Sequence, residues 1–140
     1  MNIVFSKTIK KFERQPQSLF LIDGLGALLS AFLLGVVLVR LEAVFGIPPS
    51  ALYFLAAWPI LFSIYDYYCY RKDPDKLGVY LRGIAVMNLL YCCLSIGLAC
   101  YHQDVIALFG WMFFILEVAI VITLSLLELR VAKELTQKVI

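Results

Sequence analysis

Charge is what this sequence lacks most. Charged residues make up 16% of its 140 residues and hydrophobic residues 63%, where an average soluble domain carries about 25% and roughly 45–50%. Mean hydropathy is +0.91. That balance excludes a disordered chain, a collagen-like fibre and a nucleic-acid-binding arm. It also argues against a soluble enzyme, because so much apolar surface cannot be hidden within a chain of this length. The net charge of +2 is too small to imply an acidic partner.

Catalytic signatures are equally scarce. There is no Gly-rich phosphate cradle, no Gly-x-Ser-x-Gly elbow and no His-Glu-x-x-His zinc site. Asp23-Gly24 followed by Ala27 matches only the start of the phosphatidyl-alcohol transferase motif, and Leu28 stands where that motif needs arginine. A single histidine, His102, removes bis-histidine haem within one subunit, and its neighbours Cys100 and Met112 have no metal-ligand spacing. The four cysteines include no Cys-x-x-Cys. Cys92 and Cys93 point to different helix faces, and Cys69 and Cys100 fall at opposite boundaries. Neither a cofactor nor a metal is expected, and with no recognisable catalytic motif an enzyme acting on a lipid-phase substrate is the least favoured reading.

What the sequence does have is long apolar runs. Hydrocarbon about 30 Å thick needs roughly 20 apolar residues in a helix. Four stretches reach that length: Leu19–Leu41, Ala51–Tyr70, Val79–Tyr101 and Val105–Leu127. Gly46, Pro48 and Pro49 break the first pair, Arg71–Lys76 the second, and His102-Gln103-Asp104 the third, with Asp104 placed to cap the last helix. Links this short make neighbouring spans antiparallel. The expected fold is therefore all-α, an up-down bundle of four transmembrane helices over residues 19–127. A basic head, residues 1–18, precedes it, and residues 128–140 extend the last helix. The head's Phe5, Ile9 and Phe12 recur at helical spacing among lysines, which suits either an amphipathic helix on anionic lipid or a solvated tail. The apolar run behind it is too long for a signal-peptide core and is read as a retained helix.

Orientation follows from the basic residues. With the head in the cytosol, Lys7, Lys10, Lys11, Arg14, Arg71, Lys72, Lys76, Arg82, Arg130, Lys133 and Lys138 all fall on the cytosolic side, leaving only Arg40 outside. A cell-membrane protein with both ends cytosolic is expected.

Ionisable groups inside a bilayer are costly and usually face the bundle interior. At about 1.5 Å per residue, Asp23, Asp66 and Arg82 share one layer just inside the cytosolic boundary, with Glu128 at similar height. Arg82 is expected to pair with one or both aspartates, or the layer forms a polar vestibule. Glu117 lies at the midplane, with Asn88 and Tyr91 near the same depth. It is either a hydrogen-bonded clasp, bonding to Asn88, Tyr91 or a carbonyl, or a proton- or cation-handling site. Ala27, Ala31 and Gly35 form a small-residue stripe suited to packing inside the bundle or against a second subunit. Two functions stand on these residues. One is binding or conducting a small solute or ion through an intramembrane polar site. The other is an accessory subunit of a larger membrane complex or homo-oligomer.

Overall fold

The computed structural model describes residues 2–15, 17–71 and 76–139, and among them the protein is entirely helical. The residues 72–75 of the predicted second link lie outside the described residues. Six helices follow one another: α1 (Asn2–Arg14), α2 (Gln17–Arg40), α3 (Glu42–Phe45), α4 (Pro49–Tyr70), α5 (Leu77–Tyr101) and α6 (Leu108–Val139). Three of them, α2, α5 and α6 up to Thr136, are long and apolar enough to cross a membrane. The second predicted span, α4, is helical over 22 residues, but Pro49, Pro59, Asp66 and the tyrosines of its last turns dilute its apolarity.

In lipid every backbone amide must be bonded within its own helix, and the boundaries reflect that demand. Pro49 opens α4, where the missing amide costs nothing. Gly46 ends α3 with φ of 72°, a left-handed conformation that side chains other than glycine's disfavour. The last helix does not start at the predicted Asp104 cap. The Ala107 amide is captured by the Phe45 carbonyl at 3.0 Å, which ties the 102–107 turn to the α3 loop and delays α6 until Leu108.

The long helices associate as two pairs, α2 along α4 and α5 along α6. Small residues set the first pair's distance. A methyl on Gly24 would meet Asp66 Cβ at 3.3 Å, and one on Gly35 would meet Ala56 Cβ at 3.4 Å. Within the stripe, Ala31 is buried and Gly35 faces α4, so these positions pack inside the chain. Leu33–Val37 widens into a π-helical turn, beyond which Leu38 stays buried.

Between the pairs, the Tyr65 hydroxyl of α4 donates to the Tyr80 carbonyl of α5 at 2.9 Å. α1 packs on the late turns of α6, burying Ile9 and Phe12 in the same core as Val131 and Ala132. Its Lys7, Lys10, Lys11 and Arg14 stay exposed. Outward, the long helices present large apolar side chains, among them Leu25, Leu61, Leu90 and Ile115. Such a surface suits hydrocarbon and not water.

Candidate functional site

Helical periodicity places the polar side chains of the four long helices on one seam between the two pairs. On α2, Asp23 and Ser30 are seven residues apart, two turns on one face and about 10.5 Å in height. On α5, Asn88 and Ser95 repeat the same spacing, with Tyr91 one turn above Asn88. On α6, Glu117 and Glu128 are eleven residues apart, three turns on one face and about 16.5 Å in height. Asp66 of α4 completes the set. Asp23, Asp66, Asn88, Tyr91, Ser95, Glu117 and Glu128 are all buried.

They resolve into two centres. At the first, Tyr91 Oη donates to Glu117 Oε1 at 2.7 Å, and Ser30 Oγ donates to Glu117 Oε2 at 3.3 Å. Each carboxyl oxygen thus meets a hydroxyl. The Tyr91 ring stands edge-on to Phe62 of α4, centroids 6.0 Å apart, so residues from all four long helices meet here.

The second centre is acidic. Asn88 Nδ2 donates to Asp23 Oδ1 at 2.9 Å and to Glu128 Oε1 at 3.4 Å, which uses both hydrogens of its amide. The Asp23 carboxyl adjoins those of Asp66 and Glu128. Apart from the neighbouring carboxyls themselves, no donor meets either oxygen of Asp66, Oδ2 of Asp23 or Oε2 of Glu128. Two carboxylates about 4 Å apart repel by about 4 kcal/mol at an effective dielectric constant near 20, and Arg40, Arg71, Lys76, Arg82, Arg130 and Lys133 are all exposed. The charge of this centre has to be balanced by protons or by a cation.

Between α2 and α6 the pairs do not close, and a cavity of about 240 Å³ remains. Asp23 and Asn88 line it at one end, and Ser30, Tyr91 and Glu117 toward the other. Its walls are apolar, from Ala27, Leu33, Pro59, Phe62, Phe113, Val121 and Leu124. It reaches the outer surface beside exposed Leu29, Leu116 and Ile120.

Five of the six residues singled out from the sequence lie on this seam, and Arg82 does not. Its helix buries Leu81, Ile84, Ala85 and Asn88. Arg82 falls about 100° from Leu81 and is exposed. The expected ion pair with Asp23 or Asp66 is not formed, since Asp23 bonds to Asn88 and Asp66 has no donor. A long stem lets arginine reach a polar boundary without a partner. Asn88, expected beside Glu117, turns instead to Asp23 and Glu128.

Ser30 and Glu128 were missed as site residues. The seven- and eleven-residue intervals from Asp23 and Glu117 are the signal that finds them. Among the described residues no group of three histidine, cysteine or acidic side chains is arranged to hold a metal ion. Comparison with family models, curated proteins and solved structures found no match.

Proposed function

We propose that the chain is a cell-membrane protein that binds and conducts a small solute or ion through the polar seam between its two helix pairs. Its four long helices cross the bilayer as an up-down bundle, with head and tail on the cytosolic side. The apolar outer surfaces of all four helices support this reading, α4 included, and so does the gathering of eleven basic residues on one side of that frame.

One observation carries the functional part. The cavity between α2 and α6 exposes the buried carboxyls of Asp23 and Glu117 to one space. An acid at this depth is expensive to maintain, and here four of them face the interior with only one amide and two hydroxyls as donors. A bundle needing only rigidity would be served by apolar side chains of similar size.

The test is flux through proteoliposomes challenged with a panel of small monovalent cations and protons, read as current or internal pH. The wild-type protein is expected to respond to a member of the panel, and Asp23→Asn and Glu117→Gln to abolish that response while folding. A response unchanged in both variants would remove the seam from the pathway. Reporter fusions at the C-terminus check the frame: activity of a reporter that works only outside the cytosol would overturn it.

A further inference from the structure

Resting on the proposed binding role of the seam, we infer that the cavity between α2 and α6 takes a small organic cation with apolar substituents. The chemical class is a methylated or aryl-substituted ammonium, entering sideways from the hydrocarbon.

Charge decides the sign. The ionisable groups that line the cavity, Asp23, Tyr91 and Glu117, include no base. Asp66 and Glu128 stand directly behind Asp23, and Cys92 adjoins Glu117. Arg40, Arg71, Lys76, Arg82, Arg130 and Lys133 are exposed instead. The lining offers no base to hold an anion.

The gathering of acids marks where the positive end sits. Asp23 is 4% exposed and lines the cavity at the end where its carboxyl, Asp66 and Glu128 stand together with Asn88 as their one amide. Glu117, by contrast, already receives one hydroxyl on each oxygen. The ammonium head therefore belongs at the Asp23 end, and the apolar part extends toward Phe62, Phe113 and Tyr91. Aromatic faces attract desolvated cations, and ammonium recognition is a common use of them.

The walls decide against a divalent metal ion. A divalent ion such as calcium needs six to eight oxygen ligands, roughly, to replace its hydration shell, whereas most of this lining is carbon. A volume of about 240 Å³ equals about eight waters at their liquid volume and lies below the roughly 300–1,000 Å³ of drug-sized pockets. The ligand is small. Exposed Leu29, Leu116 and Ile120 at the opening make the lipid phase, in which such amines dissolve, the route of entry.

The experiment uses the full chain in lipid nanodiscs and calorimetric titration with three probes. They are benzyltrimethylammonium, its neutral isostere neopentylbenzene, and tetramethylammonium, which keeps the charge and drops the ring. Benzyltrimethylammonium is expected to bind at least tenfold more tightly than either. Asp23→Asn should weaken it at least tenfold. Leu116→Trp, at an exposed position where folding is undisturbed, should weaken it at least tenfold by filling the opening, with an unchanged melting temperature. Equal binding of neopentylbenzene would reduce the cavity to an apolar groove and overturn the inference. Equal binding of tetramethylammonium, still dependent on Asp23, would overturn the organic class while leaving the proposed ion site intact. Binding of no charged probe, with cation flux retained, would overturn the inference alone. Loss of both would overturn it together with the proposed function.

Discussion

Glu117 and Asp66 are both buried carboxylic acids in apolar helices, yet their surroundings differ in kind. Glu117 has a hydroxyl on each oxygen, from Tyr91 and from Ser30. Asp66 is 1% exposed with no donor on either oxygen, and it stands against a second acid. The first centre resembles the hydrogen-bonded clasps that join membrane helices. The second is short of donors: Asn88 gives its two hydrogens to Asp23 and Glu128 and none to Asp66. A satisfied network rigidifies a core, and a partly satisfied one is costly. The contrast teaches that burial alone does not distinguish structural from functional acids here. The count of donors around each does.

The largest test of that contrast is Asn88→Leu. It strips the acidic centre of its only amide and should destabilise the protein by roughly 2–3 kcal/mol, measured as a lowered thermal midpoint in detergent. A loss below that of Tyr91→Phe would mean the acidic centre does not depend on its amide. Next is Asp66→Asn, which brings two hydrogens to a donor-poor cluster and relieves repulsion. It should raise stability by about 1–2 kcal/mol, and a fall in the thermal midpoint would break the comparison. Tyr91→Phe removes one of two donors from Glu117 and should cost about 1 kcal/mol, within the range of hydrogen bonds between membrane helices. Smallest is Arg82→Leu. An exposed arginine without a partner should change stability by no more than about 0.5 kcal/mol, and a loss above about 2 kcal/mol would restore the ion pair that the sequence suggested.

The sequence was most legible where one helix decides the matter alone. Apolar length marked the four helices to within a few residues, because a backbone in lipid has only its own helix to bond to. It misplaced the start of α6, because the bond from Ala107 to Phe45 joins loops about 60 residues apart in the chain. Depth reasoning put Asp23, Asp66 and Glu128 in one layer, and there their carboxyls adjoin. It also put Arg82 there, since height along a helix says nothing about azimuth. The buried stripe of Leu81, Ile84 and Asn88 was available in the sequence, and it turns Arg82 outward.

The intervals from Asp23 to Ser30 and from Glu117 to Glu128 were present in the chain as well. Each residue rises about 1.5 Å and turns about 100°, so the sequence by itself determined the heights of the polar residues and which of them share a face. How far each helix is rotated against its neighbours was decided only by the tertiary structure. The close approach of Gly24 to Asp66 and of Gly35 to Ala56 fixes α2 on α4, and the α2–α6 side is left open. That packing divides the polar residues into a satisfied centre and an acidic one, and it leaves the cavity between them. Side-chain volumes across a helix contact set that rotation, and those volumes meet only after the chain has folded back on itself.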